Sequence, residues 1–132
     1  LKEIECMGAE ENKLTLIAGA STDPSRYAYT AALFLSRQNF PFLPIGIKKG
    51  SVLGQDILPL RERPKLEGIH TITMYMNARN QQEWEAYFLS LQPKRIIFNP
   101  GAENPAFAEQ AENLGITCIN ACTLVMINTG QY

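Results

Sequence analysis

The sequence predicts an α/β fold: a doubly wound, three-layer arrangement with one parallel five-stranded sheet in the order 3-2-1-4-5 and helices on both faces. Three observations predict it. Thr15-Leu16-Ile17-Ala18-Gly19-Ala20-Ser21 is a short apolar run ending in a Gly-x-Ser turn, with Pro24 and a helical pattern beyond. Such a run reads as a buried parallel strand feeding a helix. Strand-like and helix-like stretches then alternate to the end of the chain, which calls for crossovers and a sheet covered on both sides. Finally, glycines and polar residues gather after each strand-like stretch, at the edge where open α/β sheets bind ligands.

The elements follow in order. Residues 1–13 form a polar, acid-rich tail without an apolar segment of the signal-peptide kind, and residues 14–132 a single domain. Strand one is Leu14 to Ala18. Helix one runs from about Ser25 to Gln38, with Ala28, Ala31, Ala32 and Leu35 as its apolar stripe. Asn39 takes the left-handed position after it, and Pro41 blocks continuation. Strand two is Pro41 to Ile45. The stretch from Gly46 to Gly68 is rich in glycine and proline; it predicts a turn, an extended segment near Ser51 to Leu53 and a helical turn near Leu60 to Arg63, but no full crossover helix. Strand three is Ile69 to Met76. Helix two runs from about Gln81 to Leu91, capped by Asn80 or Asn77, with Trp84, Tyr87, Phe88 and Leu91 inward. Strand four is Arg95 to Asn99. Helix three has Asn104 as cap and Pro105 at its first position, and stops at Gly115. Strand five is Ile116 to Ile119, and a last helix spans Ala121 to about Asn128, capped by Asn120.

Composition narrows the function. A net charge of −1 over 132 residues gives no basic field for nucleic acid. No apolar run approaches the roughly 20 residues that cross a bilayer. Three cysteines, Cys6, Cys118 and Cys122, suit reduced thiols in a cytoplasmic protein better than a disulfide framework.

The residues with chemistry lie after strand ends. At the first loop, unpaired N–H groups and the helix dipole favour an anion, and the sequence predicts a phosphorylated cofactor there. The loop is not a full dinucleotide fingerprint, since Gly-x-Gly-x-x-Gly aligns with Gly19, Ser21 and Pro24. Ser21 adds a hydroxyl donor, Arg26 suits a charge-assisted contact to phosphate, and Asp23 as a cap would compete with an anion. After strand two stand Gly46-Ile47-Lys48-Lys49, with no carboxylate until Asp56. NAD is therefore disfavoured, and a phosphate on the ribose, as in NADP or coenzyme A, is favoured. Asn77 follows strand three, and Asn99-Pro100-Gly101 follows strand four. His70, the only histidine, falls at the wrong end of its strand, which disfavours a Ser-His-Asp triad or a zinc cluster. No catalytic residue and no metal site are expected. Glu103 is a lone carboxylate, and Cys122, near a helix start, reads first as a small buried residue.

The set Gly19-Ala20-Ser21 with Pro24-Ser25-Arg26-Tyr27, Pro44-x-Gly46, Phe98-Asn99-Pro100-Gly101-x-Glu103-Asn104 and Ala121-Cys122-Thr123-Leu124-Val125-Met126 resembles a known family. It is similar to the small stand-alone CoA-binding domain proteins, themselves similar to the CoA-binding domain of the succinyl-CoA synthetase alpha subunit, over about residues 14 to 132. The resemblance implies a Rossmann-like fold with coenzyme A along the carboxyl edge of the sheet. It assigns Gly19, Ala20, Ser21 and Arg26 to the pyrophosphate and Lys48 and Lys49 to the phospho-ribose or adenine end, with Thr22 and Gly46 among the cofactor-binding residues. Asn77, Asn99, Pro100 and Gly101 go to the pantetheine path. Gly46-Ile47-Lys48 replaces the Asn-Pro-Lys common in relatives. The expected function is non-catalytic binding of coenzyme A or an acyl-CoA, as carrier, sensor or partner module; a homodimer or a partner protein is compatible with it. The alternatives are an NADP-dependent oxidoreductase, or an interaction protein that has kept the fold without the ligand.

Overall fold

The computed structural model describes residues 13–132. The expected polar tail, with Cys6, lies outside the described residues except for Lys13. The strands are β1 (Thr15–Ala18), β2 (Phe42–Gly46), β3 (Ser51–Val52), β4 (Gln55–Asp56), β5 (Leu58–Pro59), β6 (Thr71–Met74), β7 (Arg95–Phe98) and β8 (Thr117–Asn120). The helices are α1 (Tyr27–Arg37), α2 (Ala78–Gln81), α3 (Glu85–Ser90), α4 (Pro105–Asn113) and α5 (Thr123–Asn128), with 3-10 turns at Leu60–Glu62 and Gln82–Trp84.

The expected five-stranded 3-2-1-4-5 sheet is overturned. The sheet has six parallel strands in the order β5-β2-β1-β6-β7-β8, and β3 and β4 form a separate antiparallel pair. The segment expected as strand three is β6, and it pairs with β1 on the side away from β2, from Thr15↔Thr71 to Ala18↔Met74. Burial explains this placement. All four residues of β6 are buried, so the strand needs a neighbour on each side and layers on both faces. The place beside β2 goes instead to β5, two residues ending in Pro59. Proline lacks a ladder donor and suits an edge.

Two cores flank the sheet. On one face, Trp84, Tyr87 and Phe88 pack with Phe107 and Ala111 of α4 against Leu16, Ile72 and Ile96. Phe98 and Phe107 meet edge-on at 5.8 Å, and burying such a ring contributes about 2–3 kcal/mol. On the other face, Ala28, Ala32 and Leu35 of α1 and Ile127 of α5 cover Ile17, Ile97 and Phe42. The small alanines let α1 lie close to the strands.

Local chemistry sets the helix ends. Asn39 has φ 62° after α1, and the Phe40 N–H reaches back to the Leu35 carbonyl at 2.9 Å, a left-handed stop. The Asn77 Oδ1, not that of Asn80, accepts the cap bond at the start of α2, from the Asn80 N–H at 2.8 Å. Asn104 caps α4 through the Phe107 N–H at 3.2 Å, with Pro105 next. The last helix corrects its expected start. It begins at Thr123 rather than Ala121, and its cap is Asn99, whose Oδ1 accepts the Thr123 N–H at 2.8 Å.

Candidate functional site

β1 has β2 on one side and β6 on the other. The chain leaves β1 in one direction and later returns on the opposite flank, which opens a crevice beyond the carboxyl ends of the strands. A cleft of about 650 Å³ occupies that crevice, within the range of small-ligand sites.

The cleft gathers nine of the sequence-predicted residues: Gly19, Ala20, Ser21, Arg26, Gly46, Lys48, Asn77, Pro100 and Gly101. Thr22, Lys49 and Asn99 are not among its walls. Thr22 packs on Gly50, where an added Cβ would collide with the Thr22 Cγ2. Lys49 is exposed in the same turn. Asn99 is buried beneath the rim: its Nδ2 donates to the Thr73 Oγ1 at 2.8 Å and the Met74 carbonyl at 2.9 Å, while its Oδ1 caps α5. The Thr73 and Thr123 hydroxyls meet at 2.8 Å, so one amide ties β6, β7 and α5 together.

The first loop is built on close approach. Gly19 has φ 90°, and a Cβ there would stand 2.9 Å from the Met76 Cγ and 3.3 Å from its backbone nitrogen. The Gly19 and Ala20 N–H groups both donate to the Ile45 carbonyl at 3.0 Å, so these residues shape the turn. The Ser21 Oγ accepts from the Asp23 N–H at 3.0 Å and keeps its own hydrogen for another acceptor. Asp23 does not cap α1. Its carboxylate accepts the Ser25 N–H at 2.9 Å and the Ser25 hydroxyl at 2.8 Å, and these bonds hold its pKa below the ordinary value. Arg26, extended at the helix cap, makes no side-chain cap bond. Tyr27 and Ala28, the first residues of α1, line the cleft, and N–H groups of a first helical turn have no partner within the helix.

Charge and surface complete it. Arg26, Lys48 and Arg61 line the cleft against one carboxylate, Glu83. Leu60, Met76, Tyr75 and Trp84 give apolar walls, and the Arg63 guanidinium lies 4.7 Å from the Trp84 ring centre. Burial raises the Tyr75 phenol to about 12; its hydroxyl, beside those of Thr73 and Thr123, is buried without a well-formed hydrogen bond. Glu103 accepts the Gly101 N–H at 2.8 Å. Leu60 and Arg61, in the 3-10 turn that follows the two-residue β5, carry no sequence signal for a site, and the helical stripe predicts Trp84 only as an inward-facing residue.

The remaining reactive groups lie apart. His70 sits at the amino end of β6, its Nδ1 2.7 Å from the Thr71 Oγ1. Burial, then Arg95, Lys13 and Lys94, lower its pKa. It borders a larger hollow of about 1070 Å³ between residues 63–70 and α3, which contains none of the predicted site residues. Cys118 packs near the Ala108 carbonyl, and burial pushes its thiol up to about 11. Among the described residues, no helix is long and apolar enough to cross a membrane.

Comparison with known proteins places the chain. A crystal structure of an uncharacterized protein is 48% identical, with a TM-score of 0.88, covering 91% of this chain and 98% of that one. A hypothetical protein from Pyrococcus horikoshii OT3 is 21% identical, with a TM-score of 0.77 over 97% of this chain and 89% of the other. A Thermus thermophilus protein is 18% identical, with a TM-score of 0.77 over 99% and 98%. The last two show the fold alone. No curated protein matches the chain. The sequence profile of the CoA binding domain family matches residues 13–128, and the chain belongs to that family.

Proposed function

We propose that the cleft binds coenzyme A, free or acylated, and that the protein does no chemistry on it, serving as carrier, sensor or partner module in the cytoplasm. One observation carries this reading: the start of α1, Ser21 and three cationic side chains line a single cleft at the point where the strand order switches from one flank of β1 to the other. The donor set suits the ligand. Phosphates need N–H groups and cations, whereas the base and the pantetheine arm need apolar walls such as Met76 and Leu60. In this reading Ser21, Arg26 and the first turn of α1 meet the pyrophosphate, with Gly19, Ala20 and Thr22 shaping the loop. Gly46 and Lys48 meet the phospho-ribose, with Lys49 in the outer turn. Asn77, Pro100 and Gly101 border the pantetheine path, and Asn99 holds that border from beneath.

Calorimetric titration with coenzyme A, dephospho-CoA, NADP and NAD tests the reading. Coenzyme A is expected to bind, and dephospho-CoA more weakly. Tight binding of NADP with no response to coenzyme A would turn the case toward a reductase. No heat from any of the four would leave an interaction protein.

A further inference from the structure

Gln81 is wholly buried on α2, a polar side chain enclosed beside the cleft. Its Nε2 donates to the Met76 carbonyl at 2.7 Å and to the Ala102 carbonyl at 2.8 Å. Met76 belongs to the loop after β6, and Ala102 to the loop after β7. Its Oε1 accepts from the Asn104 Nδ2 at 2.9 Å, which also donates to the Glu85 Oε2 at 3.1 Å. The Asn104 Oδ1 is taken by the Phe107 N–H at 3.2 Å. Neither amide can turn over, because each nitrogen faces only acceptors and each oxygen faces a donor. The orientation of Gln81 is thus dictated by a chain anchored on a helix cap.

We propose that Gln81 is a positioning residue. It fixes the spacing between the Met76–Asn77 and Pro100–Gly101 loops, and so the width of the groove that receives the thiol-bearing arm of the ligand. This rests on the coenzyme A reading of the cleft. In that reading the other half of the ligand is held by the loops after β1 and β2, and the Gln81 side-chain hydrogen bonds go to Met76, Ala102 and Asn104 instead. The consequence is a split in affinity: loosening the clamp weakens the whole cofactor and spares its nucleotide half.

Gln81→Met keeps the volume and removes both donors and the acceptor. Calorimetry of wild type and variant uses coenzyme A and adenosine 3′,5′-bisphosphate, below the melting temperature of each protein. The expected result is a loss of about tenfold for coenzyme A and less than about twofold for the bisphosphate. A general loss of structure weakens both ligands alike, so equal losses, or none, overturn the proposal. A wild type that binds neither ligand overturns the coenzyme A reading itself. Should Gln81→Met fail to fold, Glu85→Ala, at the half-buried end of the same chain, is expected to give the same split at about threefold for coenzyme A. Equal effects on both ligands again refute the clamp.

Discussion

Gly19→Ala tests the construction of the cleft floor most directly. Gly19 has φ 90°, a conformation that costs an L-residue about 1–3 kcal/mol. The new methyl would also stand 2.9 Å from the Met76 Cγ and 3.3 Å from the Met76 nitrogen. The side chain can swing away, but the backbone nitrogen, two residues beyond the end of β6, yields less readily, adding about 1 kcal/mol of overpacking. The total, about 3 kcal/mol, corresponds to a fall in Tm of roughly 10 °C for a domain of this size. Gly54→Ala isolates the two contributions. Gly54 has φ 83° with nothing within 4 Å of its added Cβ, so it suffers the backbone strain without the collision. Thermal unfolding followed by circular dichroism compares the two variants. The expected order is wild type, then Gly54→Ala, then Gly19→Ala. Equal melting temperatures for the two variants would refute the close approach of the β1 and β6 loops, and a fall below about 3 °C for Gly19→Ala would refute the strain argument as well.

Two further outcomes follow from the site. Lys48→Ala should weaken coenzyme A about fivefold, since Lys48 is exposed and its attraction to a phosphate is screened. Dephospho-CoA, titrated in the same calorimeter, should hardly respond, and matching losses for both ligands would remove Lys48 from the ribose phosphate. Asn99→Leu strands the Thr123 N–H among buried groups and takes the amide donor from the Thr73 Oγ1 and from the Met74 carbonyl, which keeps only the backbone N–H of residue 99 at 3.3 Å. It should cost roughly 2–4 kcal/mol in urea unfolding with an unchanged slope; a loss under about 1 kcal/mol would mean that the joint is dispensable.

The rim was legible in the sequence because its residues sit at local turns after strands, and turn chemistry is local. Gly19, Ser21, Gly46 and Gly101 could be placed from strand-end patterns alone. The order of strands was not, because pairing partners are set by distant burial. The Ile69–Met76 stretch reads equally well as an edge or an interior strand, until one sees that four consecutive residues are buried. β5 was invisible, being two residues in a proline-rich turn. The cap of α5 was misplaced for the same reason. Asn120 is the local candidate, yet the working oxygen comes from Asn99, 24 residues away in the chain. The sequence predicts a continuous helix two, but it is interrupted at Trp84, where φ −108° and ψ −3° mark the join. That join turns the indole toward the cleft while keeping it 5% exposed, which a helical stripe cannot reveal.

Trp84 is the only tryptophan in the chain, and it borders the cleft with a guanidinium over its ring. The protein therefore carries an intrinsic fluorophore at its candidate site, whose emission belongs to one known place and is sensitive to the charge above it. Occupancy of the cleft can be followed optically on unlabelled protein, at concentrations far below those calorimetry requires.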